Sequence, residues 1–251
     1  MRVLLITLAL LLTFTATDSA ASTYYVNAKK GDDSNSGKNA RRAWATTYKV
    51  NQQTFMPGDK ILFRTDTAYE GALILKGNGE ENNPIIVDSY GDGKKPQIHG
   101  QGWKPYALLL HNIEYWEVNN LAFTNFGEKS EGGRRGVVVS AKDIGDLHHI
   151  VLNNLTISHV NGKLSKKEGA GGGILIKNND GGAKTTPVKK GEIDALTGFA
   201  TKGWEQGTIT IEQPNALYIN TVAGKTKAYD KHGSGIVRYM DDTRNKIESG
   251  F

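Results

Sequence analysis

Cysteine is absent from the 251 residues. No disulfide can staple this chain, and no thiolate can hold a metal or carry a lipid. Proline is scarce, at 6 residues, whereas glycine reaches 30, well above its usual share of about 7%. Many glycines with few prolines indicate tight turns rather than disorder. No nucleophile elbow, phosphate loop or nucleic-acid signature is present, so a nucleic-acid partner is not expected. Beyond residue 85 no helical period of useful length appears. Only one long apolar run exists, "VLLITLALLLTFTA" at 3–16, and it is too short for a membrane span of about 20 residues. Arg2 precedes it and "TDSAAS" follows, with Ser19 and Ala21 as the small residues of a cleavage site. Residues 1–21 therefore read as a secretory signal peptide. The mature chain is expected outside the cytoplasm, extracellular or periplasmic, with no membrane anchor after cleavage.

What is present is a line written more than once. "IEYWEVNNLAFTNFGEK" begins at Ile113, and "LHHIVLNNLTISHVNGK" begins at Leu147. Aligning Asn119–Asn120–Leu121 on Asn153–Asn154–Leu155 pairs Trp116 with Ile150, Val118 with Leu152, Phe123 with Ile157 and Phe126 with Val160. A third copy is read at 208–225, with Ile209 and Ile211 in the places of Ile150 and Leu152. It continues at a constant offset of 62, so that Gly173 and Ile174 recur as Gly235 and Ile236. Short segments with period-two alternation separated by turns are strands with one buried face. Repeats of this length built from short strands imply a solenoid, each copy one rung. Asn tolerates left-handed backbone, and stacked asparagines form hydrogen-bonded ladders. Asn119, Asn120, Asn153 and Asn154 are thus read as turn and ladder residues.

The expected organisation is a signal peptide at 1–21, an N-terminal cap and first strands at 22–80, and coils at 81–251 with a long loop at 178–207. Within the cap, Tyr24–Asn27 reads as a strand. Ala43, Thr47, Val50 and Phe55 share one face of a short helix, and "PGD" at 57–59 turns into the strand "KILFR". "GDDSNSG" lacks the spacing of a calcium-binding EF-hand and reads as a turn-rich loop.

The stretches "YYVNAKKGDDSNSG", "PGDKILFR", "YEGALIL" and "NNPIIVDSYGDGKKPQIHG", with "RRGVVVSAKDIGDLHHIVLNNLTISHVNGK" further on, resemble secreted proteins of the pectate-lyase-like superfamily. The resemblance covers residues 23–177. It implies an all-β fold, a right-handed parallel β-helix, and a carbohydrate polymer as ligand. Many members are lyases acting on uronate chains, often with calcium and a Lys or Arg base. Members usually continue for further coils, so a chain truncated at its C-terminus is expected.

Alternation within "GILIK" sends Leu175 and Lys177 outward. The same register sends Val138, Ser140 and Lys142 outward, and Tyr239 and Asp241 on the last copy. Ser140, Lys177 and Tyr239 form one expected row, and Lys142, Asn179 and Asp241 the next. This is a polar, partly basic strip. A net charge of +5 favours an acidic partner, so the expected partner is an acidic polysaccharide. β-Elimination needs a base, a group neutralising the carboxylate and an acid for the leaving oxygen. Lys177 is the candidate base, Arg135 the carboxylate partner and Tyr239 the acid. Arg134, Ser140, Lys142 and Trp204 are substrate-binding candidates, an indole being able to stack on a sugar. Arg134 and Arg135 could equally pair with Glu128 or Glu131. Asn179, Asp180 and Asp241 could offer oxygens to calcium, the one cofactor considered. His148 and His149, adjacent on a strand, should point to opposite faces. The expected function is an extracellular polysaccharide lyase. A glycoside hydrolase, which needs two carboxylates such as Glu168 and Asp230, and a non-catalytic glycan-binding protein are the alternatives.

Overall fold

In the computed structural model, residues 20–144, 147–163 and 172–178 are described, with side chains as far as Leu175. Beyond them, the backbone of six strands between Phe199 and Gly250 is described.

Strand β1 is Thr23–Val26. It is followed by a 3-10 turn at Ala40–Arg42 and the helix α1, Thr47–Asn51. The chain then runs through β2 (Lys60–Arg64), β3 (Ala68–Glu70), β4 (Leu73–Ile74), β5 (Ile85–Tyr90), β6 (Gln97–His99), β7 (Leu108–His111), β8 (Trp116–Asn119), β9 (Ala122–Asn125), β10 (Arg135–Ala141), β11 (Leu147–Asn153), β12 (Thr156–Val160) and β13 (Gly172–Asn178). From β2 to β13 successive strands join three sheets in a fixed cyclic order. β1, β2, β5, β8 and β11 lie side by side in the first, β3, β6, β9 and β12 in the second, and β4, β7, β10 and β13 in the third. Every one of these neighbours pairs in parallel. The described chain is thus predominantly β, with almost no helix.

Alternation explains the core. In each strand every second residue points inward, and in-register pairing stacks those residues rung on rung. Ile85, Trp116 and Ile150 form one column, and Val87, Val118 and Leu152 the next. Tyr69, Ile98, Phe123 and Ile157 stack in the second sheet, and Leu73, Leu108, Val137 and Ile174 in the third. All are buried. At the start, α1 buries Thr47 and Val50, with Ala43 and Phe55 buried beside it. Its cap is Thr46, whose Oγ1 accepts from Lys49 N–H. Thr47 Oγ1 donates to Glu70 O at 2.8 Å, while Asn51 donates to Ala72 O at 2.9 Å and accepts from Ile74 N–H at 2.7 Å. Helix side chains thereby occupy the free edges of β3 and β4, which would otherwise be open for pairing. In the "GDDSNSG" loop Asp33 is taken up by the protein itself, accepting from Ala45 and Thr46.

The asparagine ladder is present. Asn153 donates to Asn119 Oδ1 at 3.0 Å, Asn154 to Asn120 Oδ1 at 2.6 Å, and Asn120 in turn to Asp88 Oδ1 at 2.7 Å. Asn120 and Asn154 sit at φ 58° and 50°, in the left-handed region. Asn120→Ala removes two ladder bonds and places a Cβ-bearing, amide-free residue there. A loss of about 2 kcal/mol is expected. Asn120→Gly should recover the backbone share only. Urea unfolding of both variants measures the split, and equal losses would mean that the backbone share is negligible.

Three expectations are corrected. First, the copy at 208–225 does not stack as a parallel rung. Strand β16 (Ala216–Val222) runs antiparallel to β11, pairing Ile219 with Ile150 and Leu217 with Leu152. Strand β15 (Thr208–Thr210), itself paired with β14 (Phe199–Ala200), runs antiparallel to β12. Two further strands, β17 (Lys225–Ala228) and β19 (Asn245–Gly250), also pair antiparallel, to β16 and to β18 (Gly235–Met240). Only β18 continues a sheet in parallel, beside β13. Second, Val160 pairs with Asn125 rather than aligning with Phe126, because His159 at φ 51° is an inserted bulge residue. Third, His149 at φ 48° breaks alternation in β11. His148 and His149 therefore both lie outward, each stacked against Tyr115 at 6.3 and 6.1 Å.

Candidate functional site

The expected strip lies on the outer face of the third sheet. Ser140 is in register with His111 on one side and Lys177 on the other, and His111 Nδ1 lies 3.0 Å from Ser140 Oγ. The next row is apolar: Ile74, Leu109, Val138 and Leu175 share a register line, with Val138 and Leu175 buried. Lys142 follows β10 and its backbone is held by Asn112 on both sides. Lys142 N–H donates to Asn112 Oδ1 at 2.8 Å, and Asn112 Nδ2 donates to Lys142 O at 2.9 Å. Its ammonium is exposed, 3.6 Å from Asp143.

The basic groups expected to converge do not. Arg135 is in register with Gly172, whereas Lys177 is in register with Ser140. The two are separated along β10 by about 17 Å at roughly 3.3 Å per residue. Arg135 donates to Gly133 O at 2.6 Å. Tyr239 is in register with Ile176, and Met240 with Lys177, one residue away from the row expected. The side chains of Lys177 and Tyr239, together with Trp204, Asn179, Asp180, Asp241, Glu168 and Asp230, lie outside the described residues. Among the described residues no cluster of three His, Asp or Glu side chains could hold a metal.

Arg134 is interior at 3% exposure, and its guanidinium is used within the fold. It donates to Lys129 O at 2.5 Å, to Asn161 Oδ1 at 2.6 Å and, more loosely, to Gly102 O at 3.4 Å. It also pairs with Glu131 at 3.2 Å. Asn161 exchanges bonds with Gly127, accepting at 3.0 Å and donating at 2.7 Å. Asn125, fully buried, accepts from Gly102 N–H and donates to Lys104 O and Arg135 O. Together these groups fix the corner between the second and third sheets in two successive circuits. Sequence reasoning missed it, although the 34-residue spacing of the asparagine pairs also separates Gly127 from Asn161 and Glu114 from His148.

On the outer face of the first sheet, His148 Nδ1 lies 2.9 Å from Glu114, and His149 Nε2 lies 2.9 Å from Glu117. Burial, with Glu114 and Glu81 close by, pushes the Tyr115 hydroxyl pKa upward. Two carboxylates, two imidazoles and a phenol thus share this face.

No family model matches the chain. A lacto-N-biosidase from Bifidobacterium longum subsp. longum is 27% identical, over 64% of this chain and 13% of that protein. Two solved structures of the GH136 lacto-N-biosidase from Eubacterium ramulus are similar. The selenomethionine derivative has a TM-score of 0.57 at 31% identity, and the native protein 0.55 at 30%. Each match covers 62% of this chain and 30% of the other. The chain therefore spans well under half the length of these relatives. They are glycoside hydrolases, which overturns the polysaccharide-lyase reading. They lend the pectate-lyase-like assignment no support; what this chain shares with them is a β-rich fold.

Proposed function

We propose that the chain belongs to a secreted glycoside hydrolase that acts on a glycan with lacto-N-biosyl ends, and that its cyclic strand order is a right-handed parallel β-helix. The similarity to the Eubacterium enzyme, 31% identity at a TM-score of 0.57, carries the functional reading. Handedness rests on the general preference of parallel crossover connections, which are right-handed in almost all cases. A lacto-N-biosyl group bears no uronate carboxylate, so it offers no acidified C5 proton for a lyase. Cleavage instead requires an acid and a second carboxylate flanking the glycosidic bond. The Ser140–His111 row and Lys142 offer hydrogen-bond donors and acceptors suited to sugar hydroxyls. Lacto-N-tetraose incubated with the protein should release lacto-N-biose with an ordinary reducing end and no unsaturation. Binding without release would favour a glycan-binding protein, and neither binding nor release of any lacto-N-bioside would overturn the proposal.

A further inference from the structure

The loop between β6 and β7 (100–107) and the loop between β9 and β10 (126–134) lie at the same corner of successive circuits. They touch: a Cβ on Gly102 would stand 2.7 Å from Gly127 Cα. Trp103 follows Gly102 and is 72% exposed, while Phe126 precedes Gly127 and is 57% exposed. Trp103 is the most exposed large hydrophobic side chain among the described residues.

The support beneath this aromatic pair is built unlike an ordinary surface loop. Arg134, Asn125 and Asn161 are buried there, and burying a guanidinium and two amides is costly unless their hydrogen bonds are made. Both glycines are required, since a Cβ at Gly102 or Gly127 would reach within 2.8 or 2.6 Å of the Arg134 guanidinium. A rigid base and exposed aromatic faces together suit a ligand with apolar C–H faces. Preorganisation reduces the ordering cost of binding such a ligand. Among the described residues of these loops Glu131 is taken up by the buried Arg134, and Lys104 and Lys129 stand against Glu128, so the two loops together carry one net positive charge, too little to select an anion.

We propose that the Trp103–Phe126 corner is a stacking subsite for a neutral oligosaccharide, at the opposite edge of the third sheet from Ser140 and Lys142. The proposal rests on the glycan-acting reading above and deepens it by placing a sugar on named aromatic faces.

The test is calorimetric titration of the full chain with lacto-N-tetraose, alongside an array of neutral and acidic oligosaccharides. Trp103→Ala should weaken neutral-glycan binding at least tenfold, Phe126→Ala several-fold, and Trp103→Phe should retain an intermediate affinity. Both side chains are exposed, so unchanged thermal unfolding is expected and separates lost binding from lost fold. Unchanged affinity in Trp103→Ala overturns the subsite while leaving lacto-N-biose release to stand on its own. Trp103-dependent binding of a neutral glycan without lacto-N-biose release upholds the subsite and sinks the hydrolase reading. Binding of acidic glycans alone, or of none, overturns the subsite.

Discussion

Arg134→Ala is expected to cost about 3–5 kcal/mol of stability, the range for breaking a buried charged network from one side. The variant leaves the Lys129 carbonyl and Asn161 Oδ1 without the guanidinium donor and opens a hole beneath Gly102 and Gly127. For a chain of this length each kcal/mol moves the unfolding midpoint by about 2–4 °C, so a fall of roughly 10 °C is anticipated. Glu131→Ala is the control. Its carboxylate is 66% exposed, and an ion pair with so exposed a partner contributes at most about 1 kcal/mol. Arg134→Lys should recover little, because an ammonium cannot span carbonyls on separate loops as a planar fork does. If Arg134→Ala and Glu131→Ala lose similar stability, the salt bridge rather than the carbonyl network holds this corner.

Trp116→Ala should be comparably damaging, at about 3–5 kcal/mol. Trp116 is fully buried and stands between Ile85 and Ile150 in the first-sheet column. Its ring meets Phe55 edge-on at 6.0 Å, linking the column to the segment after α1. Its Nε1–H donates to Gly77 O at 2.8 Å, so truncation also strands a carbonyl. Trp116→Phe keeps most of the volume and loses that bond, and should cost distinctly less. Chemical denaturation of both variants checks the ordering, and a loss below about 1 kcal/mol in Trp116→Ala would show that the column relaxes around the gap.

Much of this was legible because inward residues repeat with period two and the NNL triplet repeats with the rung. Trp116 over Ile150 and Phe123 over Ile157 follow from those two facts alone. The same alternation is blind to direction. Ile219 and Leu217 meet Ile150 and Leu152 just as well antiparallel, so the third copy could not reveal its orientation. The bulges at His149 and His159 left no mark either, since a histidine at positive φ carries no composition signal comparable to glycine. Arg134 was legible as a partner of Glu131, but its burial with Asn125 and Asn161 shows only when the loops are seen to close over them. The chemistry was least legible of all. A shared fold brings carbohydrate into view but does not distinguish elimination from hydrolysis, and a net charge of +5 points toward acidic partners without placing a cation at a site.

The asparagine ladder also governs where this architecture can change. Where the ladder runs, the turn between the first and second sheets is only 120–121 in one circuit and 154–155 in the next. Each residue there is spoken for by a neighbour above or below. At the next corner the connections are 71–72, 100–107 and 126–134, lengthening while the strands they join stay in register. One corner is thus a short fixed spine, while at the other the connections vary in length and are braced to one another through Asn125, Arg134 and Asn161. A change of loop there has to keep that bracing but leaves the hydrophobic columns unrepacked.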